Sequence, residues 1–145
     1  MGRPEEIGEV IASVSRLGLD DFPWFAPREA DGSFVGVLRA LDGQSGAYLI
    51  REAEEGEGSG RDLLYVGMSK TGRLYSTATR HFQRWDPPHD RRSFWNVPVV
   101  MAAILCPPWA AEELQFYLIQ KFRPLVNLVW GDGGIGEEVD AEVPF

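Results

Sequence analysis

Apolar residues at Ile7, Val10, Ile11, Val14 and Leu17 recur three and four positions apart, which predicts a helix over residues 4–18. Pro4, Glu5 and Glu6 suit its start and Gly18 its end. Residues 19–44 lose the period. Asp31-Gly32 and Asp42-Gly43 read as turns, and a short strand fits at 33–39. Residues 45–51 (SGAYLIR) and 62–67 (DLLYVG) read as two strands joined by the acidic, glycine-rich stretch 52–61, an antiparallel hairpin with a long tip. A helix is predicted over 71–85. Leu74, Ala78, Phe82 and Trp85 form its apolar stripe, and Arg73, Thr77, Arg80 and Arg84 form a polar one. After a loop at 86–94, residues 97–105 are almost continuously apolar, which predicts a strand buried on both faces. Pro98 is tolerable at the start of that strand, and Pro107-Pro108 stop it. Residues 109–122 give a second long helix, amphipathic through Leu114, Leu118, Ile119 and Phe122, and the tail 131–145 reads as loosely packed and acidic.

The order helix, strand, strand, helix, strand, helix predicts an α+β fold: a small, mainly antiparallel three-stranded sheet flanked by helices. At 145 residues, with no repeat or linker, the chain suits a single domain over 1–145. No apolar run approaches the roughly 18 to 20 residues that span a bilayer, and the first residues lack the basic-then-apolar pattern of a signal peptide. The single cysteine, Cys106, excludes an intrachain disulfide and reads as a buried thiol. A cytoplasmic protein is the simplest expectation.

Charge changes the picture in one place. The net charge is −8, which weighs against a polyanion partner. Yet residues 61–92 carry net +4, against −7 over 1–60 and −5 over 93–145. A binding footprint is local, so this basic segment is the candidate nucleic-acid face; a solvated helix face is the plainer alternative.

Two tripeptides in the hairpin, Gly46-Ala47-Tyr48 and Tyr65-Val66-Gly67, resemble the two halves of the GIY-YIG nuclease signature. Each lies on its own strand. Ser69 follows, then a helix with arginines and a histidine, then a strand and a second helix ending in Lys121-Phe122-Arg123-Pro124-Leu125-Val126-Asn127. That ending is similar to the family's, where a proline precedes an asparagine by three. The resemblance covers residues 44–128. It leaves 1–43 as an N-terminal helical extension and 129–145 as the tail.

The resemblance implies a divalent-metal-dependent endonuclease acting on nucleic-acid phosphodiesters, with double-stranded DNA as substrate and a restriction-type role. Such a site needs a base for water, a cation and a metal to stabilise phosphoryl charge. On this reading Tyr48 and Tyr65 assist the water, although a phenol titrating near pH ~10 needs help to ionise. Ordinary strand tyrosines with one face in the core are the alternative. Arg73 is the candidate transition-state arginine, with Arg80 as alternate. The family places a histidine one turn after its arginine; here His81 stands eight residues after Arg73, and Thr77 holds the intervening position. His81 is weighed evenly between a catalytic group and a polar residue satisfied by one hydrogen bond. Asn127 would support the site by hydrogen bonds. Lys70, Arg80, Arg84, Arg91 and Arg92 would hold backbone phosphates.

The metal position departs from the family. Counting twelve back from Asn127 gives Gln115 where relatives carry a glutamate. A neutral amide is a poor ligand for Mg²⁺ or Mn²⁺. Three readings stay open: a block of cleavage made to trap substrate, a natural loss leaving a non-catalytic binding or interaction protein, or replacement of the ligand by Glu112, one turn earlier. Double-strand cutting by one site favours a homodimer or two successive nicks. Gly131-Asp132-Gly133-Gly134-Ile135-Gly136 matches a dinucleotide-binding string by letter, but no helix pattern follows it. His89 and the tryptophans Trp85 and Trp95 read as surface and core residues.

Overall fold

The computed structural model describes residues 4–53, 62–83, 94 and 98–130. Arg84, Trp85, His89, Arg91, Arg92 and Trp95 lie outside the described residues, as do most of the hairpin tip and the tail from 131. The architecture is α+β. Strands β1 (Gly46–Glu52), β2 (Leu63–Ser69) and β3 (Val99–Leu105) form one antiparallel sheet in the order β2-β1-β3. Helices α1 (Pro4–Ser15), α2 (Gly36–Arg39), α3 (Leu74–Arg80), α4 (Pro108–Phe122) and α5 (Leu125–Trp130) surround it.

Because strand side chains alternate, the sheet has two apolar faces. On one, Ala47, Leu49, Val66, Met68 and Ala102 meet Ala111, Leu114, Leu118 and Ile119 of α4, together with Val14 and Phe22. On the other, Tyr48, Ile50, Tyr65 and Met101 meet Leu74, Ala78 and Phe82, and also Leu38, Leu41 and Val126. Residues before 44 therefore contribute to both cores. They also reach the sheet's backbone: Phe25 and Met101 exchange both N–H···O bonds, at 2.8 and 2.9 Å, on the outer edge of β3.

The structure differs from the periodicity in four places. The stretch 33–39 holds the short helix α2 rather than a strand, with Leu38 as its buried anchor. Helix α3 closes at Arg80 and continues as a turn through Gln83, shorter than the predicted 71–85. β3 is an edge strand, buried on both faces only around Met101 and Ala102 and exposed by Leu105. Helix α5 follows α4 after a reversal at Arg123, whose φ of 54° is left-handed, and the buried Pro124.

The two glycines of the tripeptides have packing reasons. A Cβ on Gly67 would lie 2.3 Å from the Tyr48 ring, its cross-strand partner. A Cβ on Gly46 would lie 2.1 Å from the Ile104 carbonyl oxygen of β3. Gly67→Ala must displace the Tyr48 ring from a filled core, and a loss of about 1–3 kcal/mol or more is expected. Leu38→Ala opens a cavity on the same face and is expected to cost about 2–5 kcal/mol. Urea denaturation of both variants checks this; near-native midpoints would show that the tyrosine face is not tightly packed.

Candidate functional site

The tyrosine face gathers three sequence candidates from three elements. Tyr48 lies mid-β1, Tyr65 lies on β2 opposite Ile50, and His81 caps the end of α3. The Tyr48 hydroxyl and His81 Nε2 share a hydrogen bond of 2.7 Å. The donor is set by the imidazole tautomer. The His81 ring centroid lies 4.8 Å from that of Tyr65 and 5.5 Å from that of Tyr48, and Phe94 closes the group at 6.0 Å. The group is enclosed: Tyr48 is 0% exposed, Tyr65 2% and His81 4%. The Tyr–His contact can pass a proton between its two members. Delivering one to a phosphodiester would require that ester to enter the core.

Helix α3 decides which cations stand near this group. Leu74, Thr77, Ala78 and His81 are buried toward the sheet, so the position one turn before His81 is held by Thr77. Arg73 is the N-cap residue of α3 and is exposed; Arg80 is half-buried. Burial, and then the charge of Arg73, lower the pKa of Arg80 from its ordinary value. The two guanidinium groups thus sense one another on the surface of the helix. Lys70 is exposed at the end of β2. Ser69, buried in β2, organises this corner: its Oγ accepts from the Arg73 N–H at 3.0 Å and sets the turn into α3.

Gln115 and Asn127 meet at a backbone group of β2, the other edge strand. Asn127 Oδ1 accepts from Val66 N–H at 2.8 Å, and its Nδ2 donates to Val66 C=O at 3.2 Å. Gln115 Nε2 donates to the same carbonyl at 3.1 Å. Both side chains are 0% exposed. The Gln115 Oε1 is buried without a hydrogen-bond partner among the described residues. The amide nitrogen is thus committed to Val66 while its oxygen, the atom through which an amide could ligate a cation, carries no charge and is a poor ligand for Mg²⁺ or Mn²⁺. Glu112 is half-exposed instead, with Lys70 Nζ 3.8 Å from its carboxylate.

Elsewhere, burial pushes the Cys106 thiol up to about 11, so it stays protonated and is a poor nucleophile. A cleft of about 240 Å³ opens between Pro27, Arg28, Phe82, Phe94 and Val99. Arg28 spans its rim, donating to the Gly32 and Phe82 carbonyls at 2.7 Å each. The apolar anchors of residues 22–44 escaped the periodic pattern because Phe22 and Leu41 lie outside regular elements and Leu38 sits in a helix of only four residues. No helix among the described residues is long and apolar enough to cross a membrane. Comparison with protein-family models, curated proteins and solved structures finds no match to this chain.

A carboxylate at 115 tests the Val66 contact. An ionised Gln115→Glu side chain would set an anionic oxygen against the Val66 carbonyl, and only the protonated acid can donate. Its folded pKa must therefore rise above the ordinary ~4.3. A raised folded pKa gives stability that is complete below the unfolded value and lost as pH rises through the folded one. Relative to the parent chain, Gln115→Glu is expected to be near-neutral at pH 4 and to lose about 2–4 kcal/mol at pH 7. Gln115→Met is expected to cost about 1 kcal/mol at both pH values. Thermal melts across pH read the difference, and a variant as stable as the parent at pH 7 would sink this account.

Proposed function

We propose that this chain is a non-catalytic nucleic-acid-binding protein built on a GIY-YIG-like scaffold, and that it engages backbone phosphates through the outer side of α3. The observation that carries the non-catalytic part is the Gln115 amide on the Val66 carbonyl. The position where the resemblance implies a metal ligand serves instead to hold a strand edge. Thr77 one turn before His81, and the burial of Tyr48, Tyr65 and His81, support the same reading. Lys70, Arg73 and Arg80 supply the phosphate-binding part. They stand before, at the start and along the flank of one helix, in the segment 61–92 that carries net +4 in an otherwise acidic chain.

The Tyr48–His81 hydrogen bond favours a second reading, hydrolysis of the phosphodiester, with Glu112 as the nearest carboxylate to Lys70. The two readings part on cleavage. Labelled DNA and RNA, single- and double-stranded, are titrated by anisotropy across a salt series and incubated with Mg²⁺ or Mn²⁺. Binding without cutting is expected from the parent chain and from Gln115→Glu. Arg73→Ala with Arg80→Ala should flatten the log–log salt slope by about 2, close to 0.9 per lost phosphate contact. Metal-dependent cutting that disappears in Tyr48→Phe and Glu112→Gln would replace this reading by the hydrolytic one. Absence of salt-dependent binding to every probe would remove the nucleic-acid role.

A further inference from the structure

One cleft, of about 240 Å³, lies between residues 26–28, the turn after α3 and the start of β3. Its walls are apolar and buried: Phe82 from the turn, Phe94, and Val99 of β3. Ala26 and Arg28 stand exposed at its rim. Three contacts fix the Arg28 guanidinium there. It donates to the Gly32 and Phe82 carbonyls at 2.7 Å each, and its Cζ lies 4.4 Å from the centroid of the Phe34 ring. None of these neutralises its charge, and no carboxylate among the described residues forms an ion pair with it. A guanidinium has five N–H donors, so donors remain after those two bonds.

An apolar slot with a fixed cation at its rim suits a ligand with a flat apolar body and an adjoining anion. A nucleotide carries both, as base and phosphate. The place of the cleft favours that ligand over other aromatic anions. Phe82 is two residues beyond Arg80, so the cleft opens at the end of the helix whose Arg73 and Arg80 are about 10 Å apart along its axis. In a duplex the bases are paired and stacked and do not reach a side cleft, whereas the bases of a single strand can be unstacked and splayed out. We infer that this cleft seats one unstacked base of a single-stranded nucleic acid, with Arg28 on the phosphate of that nucleotide. The base site presupposes the phosphate contacts proposed for α3 and fixes the strandedness of their partner.

Fluorescence anisotropy on the full chain compares one labelled sequence as a single strand, as a duplex and as an abasic strand that keeps its phosphates. Counterion release alone favours the duplex, which has the denser charge, so preference for the single strand reports a contact to bases. The parent chain should bind the single strand at least about fivefold tighter than the duplex, in keeping with one base contact. The abasic strand should lose that advantage. Ala26→Trp places an indole in the cleft from its exposed rim and should lose it too. Gln120→Trp, exposed on α4 across the sheet, should keep it. Circular dichroism melts check that both variants keep the parent fold, and the abasic strand is read on the parent chain itself. Three results each overturn the base site while leaving the phosphate contacts of α3 in place: a duplex bound as tightly as the single strand, an abasic strand bound as tightly as the intact one, or a preference that survives Ala26→Trp. Absence of salt-dependent binding to every probe removes the phosphate contacts and the base site together.

Discussion

An edge strand must find partners for its outward N–H and C=O groups, and Val66 is where this sheet's β2 finds them in side-chain amides. Asn127 supplies both a donor and an acceptor to one residue, as a neighbouring strand would. The arrangement fixes the path of the chain before it. Helix α4 must end, reverse and return so that Asn127 faces β2. The left-handed Arg123 and the buried Pro124 provide that reversal within two residues. Gln115, about two turns before the end of α4, reaches the same carbonyl and ties the helix to the strand it packs on. At this fully buried position a neutral amide donates to the carbonyl and leaves only an uncharged oxygen without a partner, where a carboxylate would carry an uncompensated charge.

The opposite face depends on a steric fit between β1 and β2. Tyr48 lies across from Gly67, and the missing side chain of Gly67 is the space the phenol ring occupies. That placement puts the hydroxyl against His81 rather than in solvent, and the residues of α2 and α3 then close over it. The cluster is polar yet buried, so its hydrogen bond is close to obligatory: a lone hydroxyl or imidazole there would bear the full cost of desolvation. The same enclosure makes these groups a specificity device of the core as much as a chemical site.

The regular part of this architecture was legible because its residues obey a period. The hairpin, the apolar stripe Leu74–Ala78–Phe82 and the amphipathic run through Leu114, Leu118 and Ile119 all lie as their spacing predicts. The stretch 19–44 was not legible, since its anchors Phe22, Leu38 and Leu41 are set by tertiary contacts with the sheet rather than by a local repeat. α5 was hidden by its length: six residues after a proline carry too little pattern to be read. Among the candidate site residues, the resemblance, rather than any period, pointed to Tyr48, Tyr65, His81, Gln115 and Asn127 as a set worth placing together. It could not divide them into two groups, which the sheet does by putting the Tyr–His cluster on one face and the Gln–Asn pair at the β2 edge.

Position 77 carries the same logic to the surface. Helix α3 buries Leu74, Thr77, Ala78 and Thr79, with His81 buried at its C-cap. Arginine at the inward position one turn before His81 would bury a guanidinium beside a phenol and an imidazole, with a large desolvation cost unless an anion accompanied it. Threonine at that position is small enough to be enclosed and can satisfy its hydroxyl locally. The cations of this helix stand farther out: Arg73 is exposed at the N-cap and Arg80 is half-buried at the flank. Burial thus divides the polar side chains of this region: the Tyr48–His81 pair is enclosed in the core, while Arg73 stays exposed and Arg80 half-buried, where hydration lowers the cost of their charge.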